Sequence, residues 1–210
     1  MAVSVSIIGS SFTARFRSYV NDPLCRSRRN LGLNNAFARV YTDGIPGLQV
    51  SGLPQFDTHL AYARPDIVII HCGGNDLAHK SSLTVAMDLY DFANHLVRDF
   101  GVEHVIVCST LKRFSTNKDG TLKFGITPDQ FAAKADDLNF RLANVFDDNH
   151  LHFWEMTSLH GPITSITGIG KDGVHLSRDP GLKKYFREMR GIILRYGNRM
   201  HAANNWVQNY

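Results

Sequence analysis

The sequence predicts an α/β fold: a five-stranded parallel β-sheet with helices on both faces. Three observations carry this. Strand-like and helix-like patterns alternate along the chain, as they do where helical crossovers join parallel strands. The clearest strand, Asp66-Ile67-Val68-Ile69-Ile70-His71-Cys72, has a continuous apolar core, which marks a strand covered on both faces. Polar, glycine-containing turns stand where strands end, and open parallel sheets bind ligands at the carboxyl ends of their strands.

The elements follow in order. Val3, Val5 and Ile7 alternate with Ser4 and Ser6, and β-branched residues suit a pleated first strand. Gly9 permits backbone angles that a Cβ hinders. Phe12 to Tyr19 is a short helix, closed by Asn21-Asp22-Pro23, because a proline disfavours helix in its predecessor. Arg26-Ser27-Arg28-Arg29 is a basic cluster in a polar loop. Ala36 to Tyr41 reads as the second strand, and Asp43-Gly44-Ile45-Pro46-Gly47 as a tight loop whose N–H groups can point outward. Gln55 to Ala63 is helical, ending at Arg64-Pro65. The third strand, residues 66–72, runs into Gly73-Gly74-Asn75-Asp76.

Ser82 to Phe100 is a long amphipathic helix, with Val85, Leu89, Phe92, Leu96 and Val97 at helical spacing and Gly101 as its C-cap. His104 to Cys108 is the fourth strand. Segments 113–116 and 121–124 flank an Asp119-Gly120 hairpin signal. They are expected to form a small flap bearing Lys112, Arg113, Lys118 and Lys123. Thr127-Pro128-Asp129-Gln130 opens a helix with Thr as N-cap, Pro at N1 and Gln at N3, running to about Asp147. Leu151 to Trp154 is the fifth strand. A loop from Thr157 to Lys171 leads to Asp172-Gly173-Val174-His175, and Asp179 to Tyr196 is the last helix. The expected organisation is one domain over residues 1–196 with a tail, 197–210, that is polar apart from Trp206.

Composition bounds the function. A chain of 210 residues with 43% hydrophobic and 20% charged residues is ordinary globular material. The net charge of +4 is too mild to imply nucleic acid by itself. Three cysteines, two of them within strands, argue against a disulfide framework and for a reducing compartment. No apolar run approaches the roughly 20 residues that cross a bilayer. The N-terminus lacks the basic region of a signal peptide. An intracellular, cytoplasmic protein is the expectation.

The turns carry the chemistry. Acyl transfer needs a nucleophile, a base, a group to orient the base and donors for the oxyanion. A serine hydroxyl at Ser11 stands at a strand's end and a helix's start, where free N–H groups favour developing negative charge. Serine is equally a common N-cap. His175 can act as the base, since imidazole titrates near ~6.5. Asp172, three residues earlier, can turn its carboxylate onto Nδ1 and leave Nε2 for Ser11. The backbone N–H groups of Ser11 and Gly47 and the Asn75 amide can hold the oxyanion.

Four blocks in order resemble the SGNH, or GDSL-type, hydrolases: Gly9-Ser10-Ser11-Phe12-Thr13, Gly44-Ile45-Pro46-Gly47, Gly73-Gly74-Asn75-Asp76 and Asp172-Gly173-Val174-His175. The resemblance implies a flavodoxin-like three-layer α/β/α sandwich. It also implies esterase activity on a small-molecule ester, without metal or organic cofactor. The chain resembles, too, the esterase domains of some animal retroelements. It departs from the pattern in Ser10, where the family usually has Asp. Two alternatives stay open: a catalytically impaired module that binds nucleic acid or a protein partner, and an acyltransferase using the same site.

Other signals are weaker. Gly168-Ile169-Gly170-Lys171-Asp172-Gly173 fits G-x-G-x-x-G but has no strand before it and no helix opening from it. It reads as a loop delivering Asp172 and His175. His150 and His152 share a strand face near Glu155, short of a full metal set. His71 could touch substrate or be a satisfied strand-end histidine.

Overall fold

A computed structural model describes residues 1–114, 120–122, 125–160 and 168–207, the last four of these by backbone alone. The sheet has five parallel strands in the order β2-β1-β3-β4-β5: β1 (Val3–Gly9), β2 (Ala38–Thr42), β3 (Ile67–His71), β4 (His104–Cys108) and β5 (Leu151–Trp154). All four pairings are parallel. This is the flavodoxin-like order, with its switch point between β1 and β3.

Helices cover both faces. Helices α1 (Ser11–Val20) and α5 (Gly181–Val207) pack on one side. Helices α2 (Asp57–Ala63), α3 (Ser82–Phe100) and α4 (Pro128–Val145) pack on the other. The strands divide their side chains between the two layers by the period of two. Val68 and Ile70 join the α3–α4 core, whereas Ile67 and Ile69 join the α1–α5 core. The unbroken apolar run of β3 thus supplies two cores at once.

Local signals set several ends. Gly101 closes α3 in the left-handed conformation, with φ +66°. Thr127 and Gln130 form the reciprocal capping box at the start of α4. Other boundaries differ from the sequence expectation. Pro54 lies in a 3-10 segment, Val50–Phe56, so the α-helix proper begins only at Asp57. The N–H groups of Phe37 and Ala38 turn back on the Asn34 carbonyl, which delays β2 to Ala38. Ser6 is 1% exposed, because β1 lies inside the sheet and neither face meets solvent.

The last helix continues past Tyr196 to Val207. Gly197 is buried against the Phe37 ring, where a Cβ would come within 3.0 Å of Cζ. His201 Nε2 lies 3.1 Å from the Phe37 carbonyl. Tertiary docking carries the helix through a residue that would otherwise end it. Most of the expected flap (115–119 and 123–124), most of the loop before Gly168 (161–167) and the Trp206 side chain lie outside the described residues. No helix among the described residues is long and apolar enough to cross a membrane.

Buried histidines are expected to make the fold acid-sensitive. His71 is 4% exposed, with Nδ1 3.0 Å from the Tyr185 hydroxyl. Burial, helped by the Arg113 and His160 charges, pulls it down to about 3. His152 Nε2 meets His104 Nδ1 at 3.0 Å, and burial pulls His152 to about 4. The unfolded chain takes up these protons near ~6.5, but the native state refuses them. Their stabilisation is therefore complete above that value and drains away as pH falls, toward about 4 for His152 and about 3 for His71. The thermal midpoint should fall steadily from pH 7 to pH 4.5, and less steeply in a His71→Asn/His152→Asn variant. An equal slope in the two proteins would contradict this origin.

Candidate active site

The site assembles at the carboxyl ends of β1 and β3, beside the switch point. Gly9 ends β1 in register with His71 of β3. Ser10 follows as the N-cap of α1, its N–H donating to the His71 carbonyl at 3.2 Å and its side chain making no cap bond. Ser11 is the first residue of α1, so its N–H has no acceptor within the helix.

The loop after β2 is drawn onto this turn. Asp43 N donates to Ile7 O at 2.9 Å and Ile45 N to Gly9 O at 3.0 Å. Gly44 lies against α1, where a Cβ would sit 2.3 Å from Ala14 N. Gly47 holds φ +79° with nothing near its Cβ position, so its backbone lies open. The turn after β3 supplies Asn75, whose Nδ2 donates to Leu48 O at 2.9 Å. Asp76 lies beneath it, fully buried, and both carboxylate oxygens accept from Val50 N at 3.2 Å. Burial raises its pKa, while the Val50 N–H and Lys80 oppose that rise. Asp76 thus ties the β2 loop to the β3 turn.

The fourth piece arrives from far along the chain. Ile169 and Leu176 form an antiparallel bridge, Gly170 N donates to His175 O at 2.6 Å, and Gly173 N donates to Gly170 O at 3.0 Å with φ +68°. This tight loop turns Asp172 and His175 toward each other. Asp172 Oδ2 lies 2.8 Å from His175 Nδ1, and Oδ1 accepts from the N–H groups of His175 at 2.9 Å and Val174 at 3.1 Å. Burial pushes the Asp172 carboxyl up, but the backbone and ring donors outweigh it and hold the group at about 2. His175 Nε2 lies 2.8 Å from Ser11 Oγ, across 164 positions of sequence.

All the sequence-predicted residues therefore meet at one end of the sheet. Ser11, His175 and Asp172 form a continuous hydrogen-bonded line. Gly47, Asn75 and Val174 share the lining of an adjoining recess of about 130 Å³. The glycine-rich loop serves to deliver Asp172 and His175. His71 is buried under the site and bonded to Tyr185, and His152 pairs with His104. Among the described residues no group of His, Cys, Asp and Glu is arranged to hold a metal.

Sequence reasoning gave no role to Asp76 and read Arg113 as part of the basic flap. Arg113 instead donates to Asn75 Oδ1 at 3.0 Å. Asp76 stood in plain view inside the third block. Nothing in that polar turn signals its burial, because its partner, the Val50 N–H, lies 26 positions earlier.

The profile of the GDSL-like Lipase/Acylhydrolase family matches residues 7–179. Solved structures share the fold. A GDSL-like lipase from Bacteroides thetaiotaomicron is 17% identical, over 92% of this chain and 88% of that one, with a TM-score of 0.64. The Sinorhizobium meliloti carbohydrate acetylesterase Est24 is 15% identical over 93% and 99%, with a TM-score of 0.67. The M. smegmatis aryl esterase is 18% identical over 90% and 99%, with a TM-score of 0.63. No curated protein matches the chain. The family match covers all four blocks, Gly9 to His175, so the chain belongs to the GDSL-like lipase/acylhydrolase family, hydrolases that act on ester bonds.

Proposed function

We propose that this hydrolase is a serine esterase or deacylase working through Ser11, His175 and Asp172. One observation carries the reading: Ser11 Oγ lies within 2.8 Å of His175 Nε2 while Asp172 occupies Nδ1. Ser11 Oγ attacks the ester carbonyl carbon as His175 Nε2 takes the hydroxyl proton. Asp172, ionised at any ordinary pH, holds the tautomer and stabilises the imidazolium. The carbonyl oxygen becomes an oxyanion, facing the N–H groups of Ser11 and Gly47 and the Asn75 amide. Collapse of the tetrahedral intermediate expels the alkoxide, which receives the proton from His175. Water then repeats the cycle on the acyl-serine and releases the carboxylic acid. The free thiols of Cys25, Cys72 and Cys108 fit a reducing, intracellular setting.

The recess beside the proposed oxyanion donors limits the acyl group. Its volume of about 130 Å³ is close to the ~150 Å³ of a cavity that takes one benzene-sized group. Leu122, Ile126 and Phe131 make much of its wall apolar. Acyl chains of two to four carbons should be preferred. On p-nitrophenyl esters, kcat/KM for acetate or butyrate is expected to exceed that for octanoate at least about ten-fold, roughly 1.4 kcal/mol. A preference for octanoate would refute this assignment of the recess. A fluorophosphonate probe tests the mechanism directly: it should modify Ser11. Modification of Ser10, or of no serine in a folded protein, would reject the proposed nucleophile.

A further inference from the structure

Asn75 can serve an oxyanion only if its amide faces the right way. A side-chain amide can turn over, exchanging oxygen and nitrogen with little change of shape. Here both ends are tied. Nδ2 donates to the Leu48 carbonyl at 2.9 Å, and Oδ1 accepts from Arg113 Nη2 at 3.0 Å. A carbonyl only accepts and a guanidinium only donates, so the two partners together admit one orientation. Nδ2 carries two hydrogens. Leu48 takes one, and the second remains for the recess that Asn75 and Gly47 line.

Arg113 is itself held firmly. Its guanidinium carbon stands 4.8 Å from the centre of the Phe131 ring. Gly74 makes room for it, because a Cβ there would lie 3.0 Å from Nη2. No carboxylate among the described residues forms an ion pair with it. Burial alone brings its pKa to about 10. A half-buried cation that no carboxylate among the described residues pairs is costly in the resting protein. The cost is offset if negative charge develops nearby during the reaction.

We propose that Arg113 is a positioning residue for the oxyanion hole, fixing the Asn75 amide with one N–H toward the reacting oxygen and strengthening that donor by its charge. The proposal rests on the esterase reading. It acts through Asn75 and predicts non-additivity, which a direct grip on substrate does not.

The test is a double-mutant cycle between Arg113→Met and Asn75→Ala, using a short neutral ester. Thermal midpoints and rates of fluorophosphonate labelling are measured in parallel. Asn75→Ala should lower kcat by about 100-fold, the usual loss of one oxyanion donor. Arg113→Met should lower kcat by about ten-fold or more with KM within about two-fold. The double variant should be no slower than Asn75→Ala alone, since the second change then removes nothing further. Arg113→Lys and Arg113→Gln close the same cycle should the methionine variant fail to fold. Lysine, which keeps a charged donor, should retain more activity than glutamine. Additive losses, or a raised KM with kcat intact, would overturn the proposal and make Arg113 a substrate anchor. A folded wild-type protein inert toward both ester and probe would overturn the esterase reading, and this one with it.

Discussion

Ser11→Ala is expected to abolish ester hydrolysis, lowering kcat by about 10⁴-fold or more, the scale on which triad members fail. The thermal midpoint should stay within a few degrees, because Ser11 Oγ is engaged mainly with His175 Nε2 at the mouth of the site. The informative comparison is Ser10→Ala. Ser10 is the N-cap of α1, and losing a cap serine usually costs about 1 kcal/mol. Here its side chain makes no cap bond, and it is only 7% exposed. Ser10→Ala should therefore keep hydrolysis within about ten-fold of wild type and leave the Ser11 adduct intact. Steady-state kinetics on p-nitrophenyl acetate, with circular dichroism to establish folding, decide between the two serines. A Ser11→Ala protein with full activity would move the chemistry to Ser10 or away from this turn.

That comparison matters because the sequence departs from the family at Ser10. A family Asp there would be a charged side chain at a helix start. In this chain the structure has Ser10 buried against the end of β3, its N–H bonded to His71 O. The position of Ser11 is set by backbone contacts of β1 and β3, which do not depend on the Ser10 side chain. The departure therefore leaves the Ser11–His175 geometry standing.

Strands and blocks were legible because their signals are local. The apolar run of β3, the Thr127–Gln130 capping box and the Gly101 cap each act within a few residues. Hence His104–Cys108, Leu151–Trp154 and Ser82–Phe100 fall where the pattern put them. What sequence alone missed is long-range. Nothing near Arg113 says that it will bond to Asn75, 38 positions earlier. Nothing near Gly197 says that Phe37 will cover it and let α5 continue. The segment of residues 26–32 is similar. It reads as a basic loop, yet Asn30 takes a left-handed conformation there and accepts from Val40 N at 2.8 Å while donating to Ala38 O at 2.8 Å. Its side chain stands in for a neighbouring strand at the free edge of β2, a role that depends on the sheet already existing.

Gly9→Ala is the second large effect, and it tests the scaffold where the first tests the chemistry. A Cβ at Gly9 would lie 2.2 Å from the His71 carbonyl oxygen and 2.9 Å from its carbon. Both are backbone atoms of a strand flanked by β1 and β4. The His71 side chain is pinned by Tyr185 below, so β3 has little freedom to retreat. The collision must be relieved by parting β1 from β3, at a cost of about 3 kcal/mol or more. In a chain of this size that is a fall in thermal midpoint of roughly 6–12 °C. Because Ser10 and Ser11 continue directly from Gly9, the same displacement pulls the Ser11 hydroxyl from His175. Activity should therefore fall further than the folded fraction does. Gly47→Ala provides the contrast. No atom lies within 4 Å of its Cβ position, and the strain comes from φ +79° alone, about 1–3 kcal/mol. Its midpoint should drop less, while hydrolysis suffers through the misdirected N–H. Equal midpoints for Gly9→Ala and wild type would mean that β1 and β3 can part freely, and that Ser11 is not held by the close approach of the two strands.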